Sequence, residues 1–365
     1  MSRPTQAIID LNALQHNLTI LTNIAGNSKV IGVVKANAYG NGAIAVAKAI
    51  ENKVDMLAVA FIEEALELII AGINKTILIL QGPHKESDLY EEKGRNLIWL
   101  LHSSWQLNSY AKYCESASDE ERNSAWLKFD TGMHRLGFSI SDFKTIMQFH
   151  SKILDSNTVI VTHLACADEL IPTHAERQIQ SFLNVVEQYG NPMCLANSAT
   201  NIRFPKARQD YVRLGIALYG STPFPKNMNQ DLALSPVMSL ESEVIAIRTI
   251  PKGDFVGYGA TWQANRTSKI ATVALGYADG YPRHAPSGTP AWCNNHTIHL
   301  VGRVSMDMLT FDVTELADVK IGDKVQLWGD CLSINTVADH IGTIGYELMT
   351  RISKRVPKIF KGKCQ

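Results

Sequence analysis

The chain has 365 residues, a length that favours one large barrel-type domain joined to a second module. Lysine plus arginine and aspartate plus glutamate number 35 each, so the net charge is zero and there is no basic excess for binding nucleic acid. Hydrophobic residues make up 45% and charged residues 19%, which is typical of a globular protein and excludes a disordered chain.

Up to about residue 215, short β-type runs alternate with amphipathic helical stretches. TQAIID predicts the first strand, and Asp10 is placed to cap a helix whose leucines recur at helical spacing. Further buried strands are predicted in KVIGVVK, DMLAVA, KTILIL, NLIWLL, AWLKFD, NTVIVTHL and the weaker NPMCLA. Helices are predicted between them, for example in AIAVAKAIE, IEEALELIIAG and THAERQIQSFLNVVEQ. Seven or eight such units favour an α/β fold with an N-terminal (β/α)8 TIM-type barrel over a doubly wound open sheet.

After Gly220 the polar, proline-containing segment STPFPKNMNQD is typical of a linker. Beyond it come the β-rich runs SLESEVIAIRTI, SKIATVAL, TIHLVGRVSM, LTFDV and KVQLWG. Helical periodicity returns only at ADHIGT and YELMTRIS. We therefore predict a barrel over residues 1–230 and a mostly-β C-terminal domain over residues 231–365.

The six cysteines form no C-x-x-C pair and no metal-type spacing, which indicates a reducing, cytoplasmic setting and no metal site. The N-terminus, MSRPTQAIIDL, lacks an apolar signal core. The most apolar stretch, residues 66–80, is interrupted by Gly72, Asn74 and Lys75. We expect a protein without a targeting signal and without a membrane partner.

The segment KVIGVVKANAYGNG places Lys35 at the C-terminal end of an apolar strand, followed by a glycine-rich turn. In a barrel this end of the strands carries the active site. Partial burial would lower the pKa of the amine and suit it to form a Schiff base. From this segment alone, a strand-end lysine that reaches water is an equal alternative, and Tyr39 could be a tyrosine packed on the turn.

The string VVKANAYGNG also resembles the lysine motif of alanine racemases, enzymes that use pyridoxal 5'-phosphate (PLP). Further segments resemble the motifs of this family in the same order, between residues 35 and 351: LKFDTGMHRLG, THLACAD, NSA, VRLGIALYG, GYGATW, GYADGYPR, GRVSMDM and YELMTRIS. The ordered set makes coincidence implausible, although the lysine motif alone also occurs in other PLP-binding barrels. The resemblance implies interconversion of L-alanine and D-alanine and, in a bacterium, the supply of D-alanine for peptidoglycan.

The resemblance implies that Lys35 carries PLP, and that Lys35 and Tyr258 are two opposed proton-transfer groups. In the family this tyrosine comes from the partner subunit, so a homodimer with shared active sites is implied. A free tyrosine has a pKa of about 10, so a tyrosine base needs nearby cationic or hydrogen-bond support. Arg213 is expected to face the pyridine nitrogen, and His163 to link Arg213 to Tyr258.

Other roles follow from the same resemblance. The residues expected at the cofactor phosphate are Tyr39, Ser198, Gly215, Ile216 and Tyr346. Arg135 is expected at the cofactor phenolic oxygen and the substrate carboxylate, and Met306 offers its backbone N–H to that carboxylate. Lys128 matches a lysine that is often carbamylated and then holds Arg135, although Asp130 is an alternative partner for Arg135. The corridor that restricts access to small substrates is expected to contain Asp168, Tyr277, Arg303 and Tyr346.

Out of the family context, several of these residues have ordinary structural interpretations. Arg213 would be a surface or salt-bridge arginine, His163 a structural histidine and Ser198 a helix cap. The chain also departs from the usual Arg-Pro-Gly-Ile motif, since Leu214 replaces the proline and can loosen the phosphate-binding turn.

Three other functions remain as alternatives. A racemase of broader specificity would use the same bases with a wider corridor. A decarboxylase of the same barrel type is disfavoured because its glycine-triplet phosphate motif and late cysteine-centred signature are missing from the chain. A non-catalytic PLP-binding homeostasis protein would share the lysine motif but would not need residues 231–365.

Overall fold

The computed structural model describes residues 3–92, 96–118, 120–228 and 232–362. The chain begins with strand β1 (Gln6–Asp10) and helix α1 (Leu11–Ala25). The predicted cap is confirmed, because the Asp10 carboxylate accepts hydrogen bonds from the N–H groups of Asn12 and Ala13 at 2.8 and 3.0 Å. The leucines of α1 at helical spacing are buried.

Nine parallel strands follow in the described ranges: β2 (Lys29–Val33), β3 (Met56–Val59), β4 (Ile77–Ile79), β5 (Leu97–Leu101), β6 (Ser124–Asp130), β7 (Phe138–Ser139), β8 (Ile160–Val161), β9 (Met193–Cys194) and β10 (Tyr211–Leu214). Eight of them lie in the order β10-β2-β3-β4-β5-β6-β8-β9, and β7 pairs with β6. Ala196, just after β9, pairs with Val212 of β10 and closes the sheet. The predicted (β/α)8 barrel is therefore confirmed.

Helices connect the barrel strands and cover the sheet. Their bounds are α2 (Lys35–Tyr39), α3 (Ala43–Ile50), α4 (Ile62–Ile70), α5 (Ser104–Ser116), α6 (Phe143–Phe149), α7 (Thr173–Val186) and α8 (Ser198–Arg203). The predicted helical segments AIAVAKAIE, IEEALELIIAG and THAERQIQSFLNVVEQ correspond to α3, α4 and α7. In α4, Ile62, Ala65 and Leu68 recur at helical spacing and are buried, so one stripe of the helix faces the core.

The C-terminal part is mostly β, as predicted. Its strands are β11 (Met238–Ile250), β12 (Phe255–Val256), β13 (Trp262–Gln263), β14 (Ser268–Val273), β15 (Pro290–Cys293), β16 (His296–Leu300), β17 (Leu309–Asp312), β18 (Lys324–Trp328) and β19 (Lys358–Lys361). The main sheet has the order β14-β17-β16-β15-β18-β11-β1-β19, and β12 pairs with β13. The helices α9 (Ile334–Ile341) and α10 (Gly345–Thr350) precede β19.

The prediction that TQAIID begins the barrel is wrong. Strand β1 pairs antiparallel with β11 and parallel with β19, and the barrel is completed by β10 next to β2. A short apolar run indicates that a strand is buried but not which sheet it joins.

The predicted domain boundary near residue 230 lies outside the described residues, so the domain ranges stay a prediction. Cys364 also lies outside the described residues. Across the described ranges, no helix has both the length and the apolar character needed to cross a bilayer.

Candidate active site

A cavity of about 440 Å³ lies at the C-terminal ends of the barrel strands. This is the end at which (β/α)8 barrels place their active sites. Its wall brings together ten of the residues singled out from the sequence: Lys35, Tyr39, Lys128, Arg135, His163, Ser198, Arg213, Gly215, Ile216 and Tyr346.

The charge of the cavity wall has one sign. Four basic side chains, Lys35, Lys128, Arg135 and Arg213, line it, and no aspartate or glutamate is found among the described lining residues. Burial and the charge of Arg135 lower the pKa of Lys35, and burial with the charges of Arg213 and Arg135 lowers that of Lys128 to about 8. Such a wall suits a ligand that carries several negative charges.

Lys35 is followed by a turn of the left-handed helical type. Ala36, Asn37, Ala38 and Tyr39 have φ values of 52° or 53°, and ψ of the first three is 48° to 52°. Left-handed helical geometry costs roughly 1–2 kcal/mol for each L-residue, so the turn is strained and must be held by its surroundings. The turn puts both Lys35 and Tyr39 on the cavity wall.

The surroundings that hold this turn include a carboxylate that the sequence analysis did not single out. The Ala36 N–H donates to Oε1 of Glu64 at 2.6 Å, and the Ala60 N–H donates to Oε2 at 2.8 Å. A second contact ties the turn to the start of α3, because the Ala43 N–H donates to Oδ1 of Asn37, within the turn, at 2.7 Å. The turn is therefore tied to β3 and α4 on one side and to α3 on the other.

Hydroxyl groups gather at one end of the cavity. The Gly215 N–H donates to Oγ of Ser198 at 2.9 Å, and a Cβ at Gly215 would lie 2.7 Å from the Tyr39 hydroxyl, so a larger residue there would displace that hydroxyl. The ring centroids of Tyr39 and Tyr346 are 5.9 Å apart. Burial raises the pKa of Tyr39 to about 12 and also raises that of Tyr346. Both hydroxyls stay protonated and, across the described ranges, neither has a protein hydrogen-bond partner, so both can donate to an anion.

Arg213 projects from β10 and is buried without a carboxylate partner in the described part of the chain. Nη1 donates to the Cys194 carbonyl at 2.8 Å and lies 2.9 Å from its Sγ. Nη2 donates to the carbonyls of Thr162 and Leu195 at 2.8 and 3.2 Å. Neutral acceptors, mostly backbone carbonyls, thus surround its charge, and within the described ranges Nε makes no hydrogen bond.

His163, two residues after β8, is the neutral neighbour of this cation. Its Nδ1 lies 3.3 Å from Nη2 of Arg213. Because a guanidinium only donates, Nδ1 accepts and the ring proton belongs on Nε2. Burial together with the charges of Arg213 and Lys128 lowers the pKa of His163 well below its usual value, so the ring is neutral.

The loop after β6 presents Arg135 to the cavity. Asp130, the alternative partner for Arg135, is engaged within the loop itself: its carboxylate accepts the N–H groups of Gly132, Met133 and His134 at 2.9 to 3.1 Å. In the described chain no ion pair joins Asp130 to Arg135, so Arg135 lacks a carboxylate. Lys128 of β6 is buried, and the charge of Arg135 contributes to lowering its pKa.

Five predicted residues lie outside the cavity wall: Asp168, and a second group in the β domain that consists of Tyr258, Tyr277, Arg303 and Met306. The Tyr277 N–H donates to the Ser305 carbonyl at 3.0 Å, next to Met306, and a Cβ at Gly259 would lie 3.2 Å from Nη1 of Arg303. Tyr258 is 69% and Met306 54% exposed. Asp168 lies near the cavity, where its charge adds to burial and Tyr39 in raising the pKa of Tyr346.

Comparison with known families decides the identity of the fold. The family profile "Alanine racemase, N-terminal domain" matches residues 9–223, and the profile "Alanine racemase, C-terminal domain" matches residues 237–360. The chain belongs to the alanine racemase family. It is 43% identical over 361 residues to the alanine racemase of Alteromonas mediterranea and 42% identical over 363 residues to that of Chromohalobacter salexigens, with 99% of both chains covered each time. The structure of the biosynthetic alanine racemase from Pseudomonas aeruginosa is similar, with a TM-score of 0.91, 38% identity and coverage of 99% of this chain and 100% of that one.

The family motifs did not point to every residue of the site. Gln81 lines the cavity outside all of the motifs, Asn197 lines it as a residue of the NSA motif that was given no role, and Cys194 contacts Arg213. Glu64 lies in IEEALELIIAG, where two adjacent glutamates are typical of an exposed first turn of a helix. Only the contact with the turn after Lys35 distinguishes Glu64 in this alanine racemase family member.

Proposed function

We propose that the protein is a PLP-dependent alanine racemase that interconverts L-alanine and D-alanine through Lys35 and Tyr258. The observation that carries the proposal is the cavity in which Lys35 lies among three further cations, with no described carboxylate on the wall. Relatives that match along the whole chain bear the name alanine racemase. In a bacterium the product would supply D-alanine for peptidoglycan, and the few cysteines, which are free wherever the structure describes them, fit a cytoplasmic enzyme.

The cavity wall fits PLP group by group. The phosphate would lie at the hydroxyl end, against Tyr39, Ser198 and Tyr346 and the backbone at Gly215 and Ile216. The Nε of Arg213 makes no other described hydrogen bond and would face the pyridine nitrogen, where a permanent cation disfavours protonation of that nitrogen. The amine of Lys35, with its pKa lowered by burial, would hold the aldehyde carbon.

Proton transfer requires two groups on opposite faces of the substrate. When bound, PLP withdraws electrons from an attached amino acid and makes the Cα proton removable. Lys35 would exchange this proton on the D-alanine face and Tyr258 on the L-alanine face. The neutral His163 would carry a hydrogen-bonded link from Arg213 towards the Tyr258 phenol and support its deprotonated form.

The second base would come from another copy of the chain. Tyr258 and Met306 are exposed and lie outside the cavity wall of their own chain. In a two-fold dimer, each copy would place this group over the cavity of its partner. The substrate carboxylate would then lie between Arg135 and the backbone N–H of Met306.

Selectivity for a small amino acid would arise at the mouth of this shared site. The corridor would combine Asp168 and Tyr346 of one copy with Tyr277 and Arg303 of the other. Arg135 would be held by Lys128 after carbamylation, since Asp130 is engaged in its own loop.

The test is racemisation of a panel of L-amino acids by purified protein with PLP, with the visible absorbance of bound PLP recorded. Alanine should be the preferred substrate, and Lys35→Ala should abolish racemisation, whereas Lys48→Ala, an exposed lysine on α3, should not. Faster turnover of serine or lysine would favour the broader racemase. PLP binding without racemisation would favour a carrier and contradict the proposal.

A further inference from the structure

We propose that Glu64 is a positioning residue for the cofactor lysine: its carboxylate holds the left-handed turn Ala36–Tyr39 closed and thereby sets Lys35 and Tyr39 relative to each other. The inference rests on the proposed function, because it takes Lys35 and Tyr39 as PLP-binding residues. It assigns to Glu64 a role that does not involve contact with PLP or substrate.

The geometry requires a carboxylate at this position. Glu64 lies in the first turn of α4, and each of its oxygens accepts one backbone N–H: that of Ala36 after β2 at 2.6 Å and that of Ala60 after β3 at 2.8 Å. Both partners are donors, and an ionised carboxylate is acceptor-only. A glutamine could satisfy one donor but would present its own NH2 group to the other. Both oxygens of the ionised Glu64 side chain are therefore needed to accept the two N–H groups.

The turn needs this external partner because its own hydrogen bonds begin later. The Ala38 N–H donates to the Val34 carbonyl and the Gly40 N–H to the Ala36 carbonyl, whereas the Ala36 N–H has only the Glu64 carboxylate in the described part of the chain. Alanine, asparagine and tyrosine favour right-handed geometry, so the first peptide of the turn can relax unless it is anchored. Relaxation would change the separation of Lys35 and Tyr39, since Lys35 precedes the turn and Tyr39 is its last residue.

The charge of Glu64 also acts on the amine itself. The basic groups that line the cavity with Lys35 are Arg135, Arg213 and Lys128, and His163 there is neutral. The charge of Glu64 raises the pKa of Lys35, opposing the larger effects of burial and Arg135. Removing this charge should therefore lower the pKa of Lys35, which a purely structural contact elsewhere would not do.

The experiment compares PLP-free wild type, Glu64→Gln and the matched control Glu63→Gln. Glu63 occupies the same first turn of α4 but is exposed and has no hydrogen bond or ion pair within the described ranges. The dissociation constant of PLP is measured by equilibrium dialysis, and the protonation of Lys35 by mass spectrometry of acetylation over a pH series. Glu64→Gln should weaken PLP binding by roughly ten- to one-hundred-fold and shift the labelling midpoint of Lys35 to lower pH. Glu63→Gln should change neither.

A second substitution separates the turn from the charge. In the double variant Ala36→Gly with Glu64→Gln, glycine adopts the left-handed conformation without strain, so PLP affinity should recover in part while the labelling midpoint stays shifted. If Glu64→Gln does not fold, Glu64→Asp replaces it; this variant keeps the charge with a shorter reach, and should weaken PLP binding without shifting the midpoint.

Two results would overturn the inference. One is PLP affinity within twofold of wild type together with an unshifted labelling midpoint in Glu64→Gln. The other is an equal weakening of PLP binding by Glu63→Gln, which would assign the effect to the general electrostatic field of the acidic residues at the start of α4. Failure of wild type to bind PLP would instead refute the proposed function, while the labelling series on free protein would still report on Glu64.

Discussion

Carbon dioxide should convert the buried amine of Lys128 into a carbamate. Only a neutral amine attacks carbon dioxide; a nitrogen–carbon bond forms and a proton leaves to solvent. Burial and the neighbouring arginines lower the pKa of Lys128 from 10.5 to about 8. This shift raises the neutral fraction at pH 7 about 300-fold, to roughly 9%. The product would be an anion, so its interaction with the charges of Arg213 and Arg135 would be attractive, whereas that of the ammonium form is repulsive.

The assay is carbon-13 NMR of the protein at a fixed partial pressure of labelled carbon dioxide. A carbamate resonance should grow as the pH rises from 6 towards 8, and it should be missing in Lys128→Ala. The same variant should raise the KM for alanine on the order of tenfold, because Arg135 loses its anionic partner. Absence of a Lys128-dependent resonance at pH 8 would refute the reasoning.

Three further predictions concern the cavity and its loop. In buffer free of carbon dioxide, Lys128→Met should stabilise the PLP-free protein below pH 8 by about 3 kcal/mol, because the pKa of Lys128 is lower in the folded than in the unfolded chain. This gain in stability should vanish as the pH rises through 10.5. Thermal unfolding that shows the same difference between variant and wild type at pH 7 and at pH 10 would contradict the prediction. Tyr346→Phe should weaken PLP binding about tenfold in equilibrium dialysis, and unchanged affinity would remove this hydroxyl from the phosphate site. Asp130→Ala should free the loop that carries Arg135 and raise the KM for alanine more than it lowers kcat; a fall in kcat alone would speak against a positioning role.

The sequence predicted most of the barrel because its strands are short, apolar and separated by amphipathic helices, and because Asp10 provides a recognisable cap. It misplaced β1, since a buried strand of the barrel and one of the second sheet have the same pattern. The cavity residues followed from motifs, but the turn after Lys35 did not: Ala36–Tyr39 contains no glycine to indicate a left-handed conformation. The role of Glu64 was hidden for a related reason, since only the folded chain brings it to Ala36.

The shared site could not be derived from residue patterns in one chain, because Tyr258 does not line the cavity within a single copy. Its exposure alone would equally describe a surface tyrosine. The interpretation that it acts on another copy therefore depends on the family resemblance, and it needs a direct test.

That test is subunit complementation between Lys35→Ala and Tyr258→Phe chains, unfolded together and refolded, with mixed dimers verified by native mass spectrometry. A mixed two-fold dimer would have one site with both lesions and one intact site. Random reassortment makes half of the dimers mixed, so alanine racemisation should return to roughly one quarter of wild type. Activity no greater than the average of the two parent variants would contradict a site built from Lys35 of one copy and Tyr258 of the other.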